Sequence, residues 1–289
     1  MKHQHQPVLI DQVIKLLDPQ PGDSYLDATA GFGGHAAAIL EMTGKAKAVL
    51  VDRDPAAVES LKARFGDRAS IYQATFSEVA KRLQQEGSQF DLILLDAGVS
   101  SPQFDNPERG FSFREAGPLD MRMDSSQSLT AADVVNSYKE ADLKRILSKY
   151  GEEHKSGRAA RAIVEHRPFS DTLRLAEVIR KAVGYSGKID PATRTFQAIR
   201  IEVNSELEEL KEGLPIMIDL LADRGRIAVI SFHSLEDRIF KNSFKESKEL
   251  EILTKKPISG KEFDNLNPRA RSAKLRAALK LNKNKKEGK

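Results

Sequence analysis

The chain has 289 residues, 40% of them hydrophobic, a formal net charge of +4 and no cysteine. That length and apolar content suffice for one large core, or a core carrying a second lobe, and the missing thiols exclude disulfides, thiolate zinc sites and a cysteine nucleophile. With no apolar run of about eighteen residues and a polar Met1–Pro7 opening, neither a signal peptide nor a spanning helix is expected, and a cytoplasmic protein without membrane association follows.

Apolar residues from Val8 to Leu17 recur at helical spacing until Pro19, Pro21 and Gly22 break the segment. Ser24–Ala28 reads as the first strand. A helix at His35–Met42 stopped by Gly44, a strand at Ala48–Val51, a helix at Pro55–Phe65, a strand at Ser70–Gln73, a helix at Ser77–Gln85 and a strand at Phe90–Leu95 follow. This alternation predicts a doubly wound, mostly parallel α/β sheet of Rossmann-like type. From Pro107 to Ile201 the rhythm turns helical: Thr130–Val135 with Thr130 as N-cap, Glu140–Tyr150, Ser156–His166, and Thr172–Val183 stopped by Gly184. A helix at Ser205–Leu221, a Gly225 turn, a strand at Arg226–Ser231 and a helix near Glu236–Phe244 then resume the sheet, and β-like stretches at Glu251–Thr254 and Ser272–Ala277 close its edge. The core domain is therefore assigned to 1–106 and 203–289, with a helical insertion at 107–202.

Asp27-Ala-Thr-Ala-Gly-Phe-Gly-Gly-His35 lies between the first strand and its helix, where glycines let the backbone approach a ligand. A tight structural turn and a dinucleotide site are the rival readings. The spacing Gly31-x-Gly33-Gly34 is not G-x-G-x-x-G, and acidic residues end three strands: Asp27, placed to meet an ammonium group, Asp52, placed for a ribose diol, and Asp96. Together they favour an S-adenosylmethionine site. Phe76 is either a flank for the adenine or a core residue. The six histidines are scattered without H-E-x-x-H spacing, so no metal is expected.

These residues belong to a longer ordered series: His5-Gln-Pro-Val-Leu9, Asp52-Arg-Asp-Pro55, Asp96 to Gln103, Arg109-Gly-Phe-Ser-Phe113, Pro118 to Asp124, Pro191 to Gln197, Arg200 to Glu206, Ile230 to Arg238 and Asn267 to Arg276. The series resembles, over nearly the whole chain, the ribosomal RNA small subunit methyltransferase H family, the cytosine-N4 enzymes of the 16S rRNA decoding region. The resemblance implies cofactor contacts by Gly33, Gly34, His35, Asp52, Phe76, Asp96 and Gln103, with 16S rRNA in the small ribosomal subunit as the partner; a homodimer is compatible with it. Ala97, where the family has leucine, and Asp190, where it has histidine, depart from the pattern.

Cytosine N4 is a poor nucleophile because its lone pair is delocalised, so an acceptor that holds one amine proton is the expected device. Asp96 or a nearby carbonyl is the candidate acceptor and Ser101 a positioning group, with turn capping the alternative for Ser100 and Ser101. Phe111, Phe113 and Phe232 are stacking candidates for an unstacked base, or core residues. Arg109, Arg122, Arg194, Arg200, Arg269 and Arg271 are proposed for phosphate contact, because a guanidinium offers a fork to phosphate oxygens. His233 is either an RNA contact or a structural histidine. Two basic stretches, Arg158–Arg167 and Asn267–Lys289, suit a polyanionic partner, with a solvated face or a solubilising tail the alternative, and taken alone the stronger reading, for Lys280–Lys289. A DNA amino-methyltransferase is the nearest alternative; a nicotinamide-dependent dehydrogenase and a non-catalytic RNA-binding protein are more distant ones.

Overall fold

The computed structural model describes residues 7–282 apart from Ser186 and Lys188; the His3 and His5 pair and the basic tail beyond Asn282 lie outside the described residues. The first hundred residues form α1 (Ile10–Leu17), β1 (Tyr25–Asp27), α2 (Gly34–Thr43), β2 (Ala48–Asp52), α3 (Pro55–Phe65), β3 (Ser70–Gln73), α4 (Phe76–Gln85) and β4 (Phe90–Asp96). Local chemistry fixes several of these bounds. Asp54 caps α3 by accepting the Ala56 N–H, with Pro55 in its first turn, and Thr75 and Glu78 form a reciprocal capping box on α4. The chain then runs through α5 (Ser101–Asp105), α6 (Ala131–Ser137), α7 (Glu140–Lys149), α8 (Ser156–Glu165), α9 (Thr172–Val183) and α10 (Ala192–Asn204). It returns as α11 (Glu206–Asp219), β5 (Leu221–Ser231), α12 (Ser234–Glu246), β6 (Leu250–Ile252), β7 (Ile258–Ser259), α13 (Gly260–Phe263) and β8 (Lys274–Lys280).

The strand order is β3-β2-β1-β4-β5-β8-β6, with β7 also on β8. The first five strands are mutually parallel, and β8 runs antiparallel to β5, as do β6 and β7 to β8. This is the doubly wound, mostly parallel Rossmann-like sheet expected from the sequence. Tyr25, Leu50, Leu92, Leu94, Ala228 and Ile230 form one buried face, packed with α1 and α2 through Val13, Leu17, Ile39 and Leu40. Leu26, Val49, Val51, Ile93 and Leu95 on the opposite face are equally buried, which is why these strands read as continuous apolar runs rather than alternating ones.

Short elements that the sequence does not announce are α5, β7 and α13, and two larger differences have a packing cause. The Gly225 turn expected before the fifth strand is instead a bulge inside β5: Phe90 pairs with Leu221 and Leu92 with Arg226, so extra residues on β5 are looped out. A Cβ on Gly225 would lie 2.9 Å from the Ala222 and Phe90 carbonyl oxygens, so glycine is needed there. The second is α10, which the helical periodicity does not announce. Its residues Ala192, Thr195, Phe196, Ala198, Ile199, Ile201, Val203 and Asn204 are buried around several faces, and it packs on α6, α7 and α9. A helix enclosed in this way has no single apolar stripe to detect.

By internal contacts the chain divides into two compact units, Met1–Gly98 with Leu207–Lys289, and Val99–Glu206. The second unit begins at Val99 where the sequence reading begins the insertion at 107, and ends at Glu206 where that reading ends it at 202. Within it, the Asn204 amide accepts the Met123 N–H and donates to the Met121 carbonyl, both at 2.8 Å, which ties the 118–124 segment to the end of α10. Among the described residues, no helix is long and apolar enough to cross a membrane.

Candidate active site

Strand register brings the three acidic strand ends together. Asp27 pairs with Leu50 on β2 and with Leu94 on β4, and Asp52 and Asp96 stand two residues further along those neighbouring strands. Side chains alternate with a period of two, so all three carboxylates leave the same face at the carboxyl rim of the sheet.

Each is held differently. Asp27, 1% exposed, accepts the Tyr25 hydroxyl at 2.8 Å and the Thr29 N–H at 3.3 Å. Burial raises its pKa to about 7, against the lowering effect of those two hydrogen bonds. Asp52 accepts the Gly31 and Asp54 N–H groups, both at 2.8 Å, and burial lifts it to about 6. Asp96 is fixed through its backbone, whose N–H donates to Thr29 Oγ1 at 2.6 Å. Among the described residues its Oδ1, which is buried, has no hydrogen-bond partner, and burial together with the Asp27 and Glu236 charges pushes its pKa well above the usual carboxylate range. The Tyr25 phenol, buried beside Asp27, is pushed up likewise and stays a donor.

The glycine loop joins these groups. Gly31 has φ +53° and open space where a Cβ would stand, whereas a Cβ on Gly33 would strike the Phe65 ring and one on Gly34 would lie 2.7 Å from Pro7. Packing thus requires glycine at 33 and 34, independently of any ligand. His35 is buried; its Nε2 donates to the Val8 carbonyl at 2.9 Å, which leaves Nδ1 as a bare lone pair 3.7 Å from Asp96 Oδ2. Burial lowers its pKa to about 4, so the ring is neutral at physiological pH. Phe76 opens α4, half-buried, with its ring against Gly213 of α11.

Several candidate residues serve the fold itself. The direct ammonium contact expected of Asp27 is not open to it, because its oxygens are enclosed by Tyr25 and Thr29. His233 caps α12: its Nδ1 accepts the Glu236 N–H at 3.4 Å, and its Nε2 lies 3.1 Å from Glu236 Oε1. Glu236 Oε2 in turn accepts the Phe232 and His233 N–H groups at 2.8 and 3.3 Å. The ring offered for RNA contact is therefore engaged at a helix start. Phe111 is buried and Phe113 meets Phe196 edge to face at 4.7 Å, so both pack within the second unit; Phe232 is half-buried near Gly98.

Ser101 is the first residue of α5, and Gln103 is buried with its Oε1 accepting the Ser100 N–H at 2.9 Å. The arginines divide in two. Arg109 donates to the Arg122 and Met123 carbonyls, Arg122 forms a fork on Asp120 at 2.9 and 2.7 Å, and Arg200 forms one on Glu206 at 2.8 Å through both nitrogens. These three are internal brackets, and the open guanidinium that phosphate contact needs is not what they present. Arg194 is half-buried, with Glu153 4.0 Å away, while Arg269 and Arg271 lie in the 3-10 turn Pro268–Ser272, Arg271 being exposed. Asp190 has a structural use: it pairs with Arg180 at 2.9 Å and accepts the Ala192 N–H.

Three contributors escaped the sequence reading. Tyr25 carries a legible signal, standing two residues before Asp27 on the same face of one strand. Glu236, three residues after His233, is the capping-box position. Thr29 carries none, because its bond to the Asp96 backbone crosses between strands.

Comparison with known proteins bears on the family. The profile described as the MraW methylase family matches residues 2–281. The ribosomal RNA small subunit methyltransferase H of Synechocystis sp. is 48% identical over 96% of this chain and 93% of that protein. Its namesake in Heliobacterium mobile is 44% identical over 97% and 100%, and that of Cyanothece sp. 48% identical over 96% and 95%. A match that spans the sheet, the glycine loop, the helical unit and the return strands in one alignment shows that this chain belongs to the MraW methylase family.

Proposed function

We propose that the chain catalyses methyl transfer from S-adenosylmethionine to the N4 amine of a cytidine in the decoding region of 16S rRNA, acting in the cytoplasm on the small ribosomal subunit. The observation that carries the cofactor assignment is the convergence of Asp27, Asp52 and Asp96 at one rim, with burial raising all three. Clustered acids with raised pKa values fit a cationic ligand, which relieves their mutual repulsion. When bound, S-adenosylmethionine supplies a methyl group activated by a positively charged sulfur.

Asp52, with Gly31 beside it, holds the ribose hydroxyls as an acceptor. Phe76 flanks the adenine with its half-buried ring. Asp27 is a positioning residue: through Thr29 it sets the loop and the Asp96 backbone, and its charge acts through space. Asp96 Oδ1, which has no partner among the described residues, accepts a hydrogen bond from the N4 amine and takes the proton that the nitrogen releases. A carboxylate whose pKa is raised is a better base near neutral pH than an ordinary one. The helical unit recognises the RNA.

Tritium transfer from labelled S-adenosylmethionine, measured on 30S particles, naked 16S rRNA and duplex DNA and followed by mass spectrometry of the modified nucleoside, tests this. N4-methylcytidine in the ribosomal substrates is the expected product; labelling of DNA alone overturns the assignment.

A further inference from the structure

The basic run Arg158–Arg167 separates into two functions once folded. Arg167 turns inward, donating to the Val135 and Tyr138 carbonyls, both at 2.6 Å. Arg158 and Arg161 stand with Ala162 and Glu165 at i, i+3, i+4 and i+7, one face of α8. Val178, Lys181 and Ala182 repeat the i, i+3, i+4 pattern on α9, and the two faces enclose a cleft of about 410 Å³.

Its composition points to a polyanion. Small and branched apolar side chains, Ala162, Val178 and Ala182, line the cleft, and three cations, Arg158, Arg161 and Lys181, are exposed along it. Among the described residues, neither Arg158 nor Lys181 has a carboxylate within ion-pair distance. Arg161 has Glu140 at 3.9 Å, with both side chains largely exposed, a pair worth little in water. The cleft's one acid, Glu165, leaves its balance positive. Unpaired cations around an open concavity raise the local potential for phosphate, and arginine offers a fork that matches phosphate oxygens.

We propose that the cleft between α8 and α9 binds the phosphodiester backbone of the substrate RNA, with Arg158, Arg161 and Lys181 as its phosphate ligands. The proposal rests on the reading of the chain as an rRNA methyltransferase and adds a contact surface to it. The contacts are sequence-independent, so they hold the RNA without choosing the nucleotide.

The test compares three full-length proteins: wild type, the triple variant Arg158→Gln/Arg161→Gln/Lys181→Gln, and a control, Lys15→Gln/Lys45→Gln/Lys62→Gln, which removes three exposed cations from the sheet unit. Binding to transcribed 16S rRNA is measured across a salt series, and calorimetry with S-adenosylmethionine reports that each protein is folded. Three lost phosphate contacts lower the log–log salt slope by about 2, at about 0.7 per contact for single strands. The expected result is that decrease in the cleft variant alone, with unchanged S-adenosylmethionine affinity. A cleft variant with the wild-type slope, or an equal decrease in the control, overturns the cleft while the enzyme reading stands. Wild type that binds S-adenosylmethionine and no rRNA overturns the RNA assignment and the cleft together.

Discussion

Asp27 links the electrostatics of the rim to a stability measurement. It is enclosed by Tyr25 and Thr29, and its pKa rises from 3.8 to about 7 on burial. A carboxyl group whose folded pKa exceeds its unfolded one contributes stability that is fully present below pH 3.8 and is lost as the pH climbs through 7. At about 1.4 kcal/mol per pH unit, that loss amounts to about 4 kcal/mol. Asp27→Asn removes the titration. The amide keeps an acceptor for the Tyr25 hydroxyl and sets an N–H against the Thr29 N–H, a penalty of about 1 kcal/mol that does not change with pH. In urea unfolding without cofactor, the stability of Asp27→Asn minus that of wild type should therefore grow by about 4 kcal/mol between pH 4 and pH 8. The same variant should bind S-adenosylmethionine at least about tenfold more weakly, since about 1.4 kcal/mol of attraction to a cation corresponds to that factor. A stability difference that is flat with pH would refute the burial argument, and an unchanged affinity would refute the role of Asp27 at the rim.

His35 titrates in the opposite sense: its pKa is lowered from 6.5 to about 4, so its contribution is present above pH 6.5 and lost as acid is added. His35→Gln, which keeps a donor for the Val8 carbonyl, should abolish about 3 kcal/mol of acid destabilisation in unfolding measured from pH 7 to pH 4. Arg200→Ala leaves the buried Glu206 carboxylate without its fork and should cost about 3 kcal/mol in thermal or urea unfolding. Arg271→Ala, at an exposed turn, should leave stability unchanged and weaken rRNA binding in filter assays. Finally, calorimetry should show S-adenosylmethionine affinity increasing between pH 5.5 and pH 7.5, as Asp52 and Asp27 lose protons at about 6 and about 7; a flat profile would contradict the cationic fit.

Much of the fold is written in local signals. Pro55 in the first turn with Gly66 at the far end delimits α3, and Asp171 with Gly184 does the same for α9, so the expected and observed bounds coincide. The signals fail where tertiary packing takes over. Helix α10 is buried on several faces and shows no stripe, and β5 starts at Leu221 because a bulge absorbs what reads as a turn. At the site, the acidic strand ends were legible because parallel strands of this fold finish at one rim. What the sequence could not show was which polar groups were already engaged. Arg200 and Glu206 are six residues apart across the left-handed Ser205, outside the three- and four-residue spacing of helix pairs, and Arg109 is bound to carbonyls that any sequence has.

The rim also bears on how donor and product are told apart. Among the described residues, no cation is a main influence on Asp27 or Asp96, while Asp52 has Arg53. A site built for stability alone would pair or replace such groups, since apolar residues of similar volume often do better than buried charges. Left unpaired, the carboxylates oppose the folded chain until positive charge enters. S-adenosylmethionine brings an ammonium and a sulfonium, whereas its demethylated product keeps only the ammonium, so a rim that holds the cofactor as proposed should attract the donor more strongly than the spent form. That preference grows as the acids ionise. The ratio of product to donor dissociation constants should accordingly increase from pH 5.5 to pH 7.5, and Asp27→Asn should flatten the increase. Equal pH profiles for the two ligands would mean that the carboxylates do not sense the charge on sulfur.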